Sequence, residues 1–246
     1  MQKYIAVVNP RMDEDDIARL IRKGIAGAIF EISHQNYPVA MRLIDLVQKL
    51  AKKNNRPISI IQDVSNMQDP LDLEVGLRAG VHWVATSQPE HVKLVRGLNK
   101  LAGVIYKNRN LPKGVLIDSV MSSDFLDPDA EIYGQSQGQI KHLVTDHKNQ
   151  KLLDALLHLA QESHTKALAV SDLELAKSIS QRRPMQKIIF VAGNDAEASK
   201  GSLYWGVHPM YPTSDTQSAI RNSHLVKKGE RILDATRGKH VTIHLV

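Results

Sequence analysis

Two polar side chains able to do chemistry end an apolar run near the N-terminus, in the segment AIFEISH at residues 28–34. The Ser33 hydroxyl is a potential nucleophile or ligand, and the His34 imidazole exchanges protons near neutral pH. The segment has two interpretations: a strand that delivers both groups into an active site, or a strand that simply ends in polar residues.

Charged side chains follow two further apolar runs. Asp63 follows the run ISIIQ, and Lys107 and Arg109 follow the run AGVIY. Sites in parallel α/β folds lie at the carboxyl ends of the strands, so these three groups are candidates for a small anion pocket. The alternative is a salt bridge at the rim of the sheet.

Apolar runs alternate with helical patterns through the first half of the chain. The strand candidates are YIAVV, GAIFEI, ISIIQDV, HWVAT and AGVIY. The segments between them have helical spacing: DEDDIARLIRKG, PVAMRLIDLVQKLAKK, PLDLEVGLRAG and EHVKLVRGLNK. This alternation predicts βαβ units, and therefore an α/β fold with a parallel sheet.

The alternation weakens after about residue 108 and resumes near residue 150. One strand candidate, GVLID, is followed by a stretch rich in Ser, Asp, Gly, Gln and Pro. We therefore predict a domain over 1–125, a linker over 126–149 and a second domain over 150–246. The second domain is predicted to be a smaller open α/β sheet whose last two strands form an antiparallel hairpin around the turn RGKH.

The composition excludes several classes of site. The chain of 246 residues has no cysteine, which rules out disulfides, thiol catalysis and cysteine-ligated metals and is typical of a reducing compartment. Its net charge of +6 is spread along the sequence with few aromatic residues, which argues against a nucleic-acid binder. No apolar stretch has the length of a membrane span, so we expect a cytoplasmic protein without membrane association.

Several motifs carry a family resemblance. The segment DPLDLEVGLRAGVHWVATSQPEHVKLVR resembles a pyruvate kinase segment, and GAIFEISH is similar to that family's strand Ala-Arg-Leu-Asn-Phe-Ser-His. In the second half, AKSISQRRP and YWGVHPMYP resemble motifs of the family's C-terminal domain. The residues of the first segment that fall in register are Asp69, Asp72, Gly76, Gly80, Val81, Ala85, Ser87, Val92, Val95 and Arg96.

The resemblance implies a shortened member of the pyruvate kinase family. The lid domain is missing, because QDVSNMQDPLDL joins the third strand directly to the next helix. Five clear strand candidates, with GVLID and the further candidate IKHLVT, precede the second domain, which is too few for a complete barrel. The implied fold is a partial or remodelled βα barrel followed by a pyruvate-kinase C-terminal-like open α/β sheet.

The sequence departs from the family pattern at the residues that would bind phosphate and cations. Ile29 stands where the family has an arginine on the phosphate side, and it can donate no hydrogen bond. The resemblance implies two potassium-ligand positions: Ser33 keeps the family's serine, and Glu31 stands where the family has an asparagine. The lysine that stabilises the phosphoryl group is retained as Lys107, but Arg109 replaces the metal-binding glutamate, and a guanidinium cannot coordinate a cation.

These departures predict that ordinary pyruvate kinase activity has been lost and that the protein acts in binding or regulation, with no cofactor required. A residual phosphotransferase acting on phosphoenolpyruvate and ADP with Mg²⁺ and K⁺ is the first alternative, and a scaffold subunit with a protein partner is the second. The candidate catalytic residue is Lys107, and the candidate substrate-binding residues are Ser33, Asp63, Ser87 and Arg109.

An incomplete parallel barrel also has consequences for assembly. Its terminal strands would leave unpaired edges, and its interior would be uncovered. We therefore expect either an open, doubly wound sheet or pairing with a second copy, and we predict a homodimer.

Overall fold

The computed structural model divides the chain into two compact units, residues 2–143 and residues 144–246. The described residues are 4–99, 101–107, 119–121, 135–137, 140–142, 150–237 and 240–246. Both units are α/β, in agreement with the predicted class.

The first unit contains eight strands and four helices among its described residues. The strands are β1 (Tyr4–Val7), β2 (Ile25–Glu31), β3 (Ser59–Asp63), β4 (Trp83–Thr86), β5 (Gly103–Tyr106), β6 (Ser119–Met121), β7 (Gln135–Gln137) and β8 (Ile140–His142). The helices are α1 (Glu14–Lys23), α2 (Tyr37–Lys53), α3 (Pro70–Arg78) and α4 (Pro89–Leu98). The five strands predicted up to residue 106 and all four helices are confirmed, whereas the candidate GVLID lies outside the described residues.

Local signals in the sequence fix the helix boundaries. Asp13 caps α1 by accepting a hydrogen bond from the backbone N–H of Asp16, and the Asp16 carboxylate accepts one from the Asp13 N–H in return. Gly24 ends the helix with φ of +93°, a left-handed conformation that glycine adopts without steric penalty. The acidic run at 13–16 therefore acts as a helix start, as its position predicts.

The strands of the first unit form one sheet in the order β7-β1-β2-β3-β4-β5-β6-β8. Strands β1 to β6 run parallel to one another, β7 is antiparallel to β1, and β8 is antiparallel to β6. The expectation of unpaired edges on the parallel strands is therefore wrong, because β7 and β8 cover both. These two strands lie within the range 126–149 predicted as a linker.

The two ends of this sheet are held close together by the chain itself. Only residues 138–139 separate β7 from β8, so three Cα–Cα steps join them and span at most about 11 Å. Because β7 borders β1 and β8 borders β6, the sheet has to curve strongly between its ends.

Both faces of β2 to β5 are buried along most of their length. On one face Phe30, Ile60 and Val84 pack with α1 to α4 in a continuous core. Alternate positions along the same strands point to the other face, where Ile61 and Trp83 are fully buried as well. Parallel strands buried on both faces need nearly continuous apolar sequence, which is the pattern that the strand candidates show.

The second unit is a smaller sheet in the order β11-β10-β9-β12-β13. Strands β9, β10, β11 and β12 are parallel, and β13 is antiparallel to β12, which confirms the predicted final hairpin. Its elements are α5 (Gln150–Glu162), β9 (Ala167–Val170), α6 (Leu173–Gln181), β10 (Lys187–Val191), α7 (Asp195–Gly201), β11 (Val207–Met210), α8 (Thr216–Asn222), β12 (Arg231–Arg237) and β13 (His240–Leu245).

We predict that Gly103→Ala destabilises the first unit by about 1–3 kcal/mol, because overpacking a buried site forces its neighbours to move. Trp83 and Gly103 are register partners on β4 and β5, and a Cβ atom at position 103 would stand 2.2 Å from Cε3 of the buried indole. Urea unfolding of the full chain measures the loss.

Gly97→Ala is the matched control for this substitution. Gly97 lies in α4, and a Cβ atom there would meet no other group within 4 Å. Alanine favours a helix over glycine by up to about 1 kcal/mol, so this variant should be neutral or more stable. Equal stability of the two variants would contradict the tight packing of Trp83 against Gly103.

Candidate functional site

Charged side chains meet at the carboxyl ends of β2, β3 and β5, on the face of the sheet opposite the helices. Glu31 at the end of β2 is the register partner of Asp63 at the end of β3, so the two acidic residues are adjacent in the sheet. Asp63 is in turn the partner of Ala85 on β4, and Lys107 follows the end of β5. The small Ala85 side chain leaves space across β4 between Asp63 and Lys107.

Lys107 and Asp63 form an ion pair across that space. The distance from Lys107 Nζ to Asp63 Oδ2 is 2.7 Å, and the side chains are 18% and 12% exposed. The second carboxylate oxygen, Oδ1, accepts a hydrogen bond of 3.0 Å from the Ser65 N–H, and the Lys107 N–H donates to the Thr86 carbonyl. Both ends of the pair are therefore fixed by backbone contacts, and the lysine charge is neutralised by its partner.

Ser33 and His34 lie in the turn between β2 and α2. The Ser33 N–H donates to Asn36 Oδ1 at 2.9 Å, and the Asn36 side-chain amide donates to the Glu31 carbonyl at 3.1 Å. His34 is exposed, and in this described turn its ring makes no hydrogen bond to the Ser33 hydroxyl. These hydrogen bonds close the turn between β2 and α2. The turn does not bring the Ser33 hydroxyl and the His34 ring together as a nucleophile and its base.

Ser87 begins the connection between β4 and α4 and is exposed. Thr86, just before it, is buried and accepts a hydrogen bond of 3.0 Å from the Gln88 N–H. The Gln88 side chain donates to the Ser65 carbonyl at 3.0 Å, which joins the connections after β3 and β4. The Ser65 hydroxyl oxygen is buried and has no hydrogen-bond partner among the described residues.

A second polar contact at this end of the sheet was not predicted from the sequence. The Tyr37 hydroxyl, in the first turn of α2, donates to the carboxylate of Asp72, a buried residue in the first turn of α3. That hydrogen bond, together with desolvation and the charges of Asp72 and Asp69, raises the pKa of Tyr37 to about 12. The contact joins the starts of two helices that flank the candidate site.

The structure thus brings together two of the five candidate site residues. Asp63 and Lys107 are in direct contact. They form a salt bridge at the rim of the sheet, which is the alternative to an anion pocket in the sequence-based prediction. Ser33 and Ser87 follow β2 and β4 at the same end of the sheet, and Arg109 lies outside the described residues. The participation of Thr86, Gln88 and Ser65 was missed, because a polar residue at a strand end gives no indication of its partner.

Neither a metal-binding cluster nor a membrane-spanning helix is present among the described residues. There, no group of three or more Asp, Glu and His side chains is close enough together to hold a metal ion. In the same part of the chain, no helix has both the length and the apolar character needed to cross a bilayer.

Comparison with known proteins identifies one partial similarity and no family. No family model matches the chain. A segment of 79 residues is 30% identical to L-cysteine:1D-myo-inositol 2-amino-2-deoxy-alpha-D-glucopyranoside ligase of Streptomyces coelicolor, which is 32% of this chain and 19% of that protein. Because the match spans only about a fifth of the ligase, it does not assign a family. The resemblance to pyruvate kinases stays a prediction.

We predict that the Asp63–Lys107 pair contributes a coupling energy of about 1–3 kcal/mol to folding, since hydrogen bonds between largely buried charged groups are stronger than exposed ones. A double-mutant cycle with Asp63→Asn and Lys107→Met, followed by urea unfolding, measures this energy.

The exposed pair Asp45–Lys49 on α2 is a control with the same geometry. Its Nζ–Oδ2 distance is also 2.7 Å, but the side chains are 60% and 71% exposed. The same cycle should give only about 0.5 kcal/mol or less there. Equal coupling in both cycles would show that the site pair behaves as a solvated surface contact.

Proposed function

We propose that this chain is a pyruvate-kinase-like protein that has lost ordinary pyruvate kinase activity and acts as a binding or regulatory protein. The observation that carries the proposal is the ion pair between Lys107 and Asp63. Phosphoryl transfer needs positive charge directed at the transferred group, because charge accumulates on its oxygens in the transition state. Here the ammonium group of Lys107 is directed at Asp63.

The local charge balance supports the same proposal. Glu31 and Asp63 are register partners, and among the described residues Lys107 is the cation that forms an ion pair with Asp63. A substrate with phosphate and carboxylate groups would meet more negative than positive charge there. Ile29, which takes the place of the family's arginine, is buried on the same face and offers no donor.

The proposed architecture is a remodelled βα barrel followed by a C-terminal α/β sheet of pyruvate kinase type. Three observations support it: six parallel strands, burial of both faces of β2 to β5, and sheet ends connected by two residues. In this proposal β7 pairs with β1 and β8 pairs with β6, and these two strands replace the missing barrel strands.

A residual phosphotransferase acting on phosphoenolpyruvate and ADP is the second candidate. It is favoured by the position of Ser33, Asp63, Ser87 and Lys107 at one end of one sheet. This candidate needs Mg²⁺ and K⁺. The residues present do not fit a divalent ion well, because Asp63 is occupied by Lys107 and Arg109 takes the position of the metal-binding glutamate.

We expect the purified chain to show no conversion of phosphoenolpyruvate and ADP to pyruvate in the presence of Mg²⁺ and K⁺. A coupled assay measures this, with an authentic pyruvate kinase added to the same mixture to show that the conditions support turnover. Lys107→Ala is the test variant, and Asp154→Asn, at an exposed position on α5, is the control. Turnover that is lost in Lys107→Ala and kept in Asp154→Asn would establish the phosphotransferase instead.

We further propose that the protein is a cytoplasmic homodimer. The edges of the first sheet give no reason for dimerisation, because β7 and β8 cover them. In the second unit β13 ends the sheet, and the large apolar side chains of Ile243 and Leu245 on it are exposed. An exposed edge strand of this kind offers unpaired backbone groups to another chain.

Sedimentation velocity should therefore give a dimer, and Ile243→Lys on β13 should give a monomer, since charge on an edge strand opposes strand pairing. Lys151→Glu, at an exposed position on α5, is the control for a change of charge far from β13 in sequence. A wild-type chain that is monomeric and has no co-purifying partner would contradict both the dimer and the alternative of a scaffold subunit.

A further inference from the structure

The last strand of the second unit, β13, forms one edge of its sheet, and within the described structure no other strand pairs with that edge. Edge strands are normally protected by proline, by charged side chains or by a covering element. The opposite edge strand, β11, contains Pro209, which has no N–H to donate. β13 reads HVTIHL, with no proline and no Lys, Arg, Asp or Glu. The edge at β13 is therefore the one that lacks protection in its own sequence.

The hydrogen bonds of the hairpin show which backbone groups this edge offers. The N–H of Val246, just after β13, donates to the Glu230 carbonyl, just before β12, at 3.0 Å. In an antiparallel pair such contacts recur at every second residue, because backbone groups alternate in direction along a strand. The N–H and C=O groups of Val241, Ile243 and Leu245 therefore point away from β12, toward the edge of the sheet.

The same three residues carry the apolar side chains of β13. Ile243 is the register partner of Leu233 on β12, so its side chain lies on the same face of the sheet as the buried Leu233. Ile243 and Leu245 are nevertheless 44% and 65% exposed. The positions with outward-pointing backbone groups are thus also the positions with uncovered apolar side chains.

The polar face of β13 has its contacts within the chain. His244 Nε2 lies 2.8 Å from the Thr242 hydroxyl and 3.6 Å from the carboxylate of Asp234, whose side chain is 5% exposed. The other oxygen of that carboxylate accepts hydrogen bonds from the N–H and the hydroxyl of Thr236. A partner for β13 is therefore to be sought at its apolar face and its backbone edge.

A second copy of β13 matches this edge in one antiparallel register. A two-fold axis perpendicular to the sheet at Ile243 places this residue opposite the partner's Ile243, and it places Val241 and Leu245 opposite each other in both directions. Each of these three pairs joins two outward-pointing residues, which exchange two hydrogen bonds. An axis at Thr242 or His244 aligns only two such pairs within the strand.

We propose that two copies of the chain pair through β13 in this register, so that their five-stranded sheets form one continuous sheet. The inference rests on the proposed homodimer and specifies its interface. Across the axis all three pairs are apolar, and no charged side chain of the strand meets its own kind. This match at every position favours a second copy over an unrelated segment. The contact is isologous, so it closes with two copies.

A single introduced cysteine reports the register, because the chain has none of its own. In Ile243→Cys the two copies of the residue face each other at about 5.5 Å between Cα atoms, a distance that a disulfide spans. The controls are Thr242→Cys, with about 7–8 Å between its copies, and His240→Cys, with about 20 Å. On a non-reducing gel, mild oxidation should cross-link Ile243→Cys about tenfold faster than either control.

Ile243→Pro tests the backbone contacts of the interface. The Ile243 N–H points to the edge, so proline leaves the ladder with β12 in place and removes a donor at the axis. We expect a monomer in sedimentation velocity, with the fold verified by far-ultraviolet circular dichroism. Ile243→Val keeps the N–H and a β-branched apolar side chain, and it should remain a dimer.

The outcomes distinguish this interface from the homodimer itself. If the wild-type chain is dimeric, cross-linking of a control as fast as Ile243→Cys, or a folded Ile243→Pro that is still dimeric, would overturn the interface and leave the homodimer. A monomeric wild-type chain would overturn both. If Ile243→Pro does not fold, the comparison of the cysteine variants decides. The coupled assay for pyruvate kinase activity is read separately from all of these results.

Discussion

Burial of both faces of β2 to β5 is the constraint on which the first unit depends. Every residue of β3 up to Gln62 is buried, so polar side chains along the strand must find partners inside the protein. Gln62 meets this need in part: its amide donates to the Asp72 carbonyl at 2.8 Å, and its oxygen packs against Gly76 without a hydrogen bond in the described structure. Asp63, at the carboxyl end, is the first position of the strand that is not fully buried. Ionisable groups are therefore concentrated at the strand ends, where the candidate site lies.

The same constraint accounts for the closing strands. A parallel sheet with free edges and an open apolar face would be exposed to other chains. β7 pairs with β1 and β8 with β6, so the chain covers these edges with its own residues. A second copy of the chain is therefore not needed to cover the edges of this sheet. Any dimer would then depend on surfaces of another kind, such as the exposed edge of β13.

The sequence predicted the elements well because their signals are local. The acidic start and the glycine end of α1, and the apolar runs of β1 to β5, depend on neighbouring residues only. The proximity of Asp63 and Lys107 could also be anticipated, because parallel strands place their carboxyl ends together. The sequence indicated β8 within the candidate IKHLVT but did not indicate β7, since the tripeptide QSQ is short and polar and becomes a strand only by pairing with a distant partner. The Tyr37–Asp72 contact and the environment of Asp234 depend on helix packing and hairpin register, which no local pattern encodes.

The ion pair at the strand ends depends on the register of the sheet. Glu31 and Asp63 are register partners, and two neighbouring carboxylates destabilise each other unless a cation lies close by. Lys107 supplies that cation and reaches Asp63 across the small residue Ala85. A lysine engaged in this way has a structural role, because moving it toward a substrate would leave Asp63 largely buried and uncompensated beside Glu31. Two acidic residues meet at the ends of β2 and β3, so the positive charge of Lys107 stabilises these strand ends.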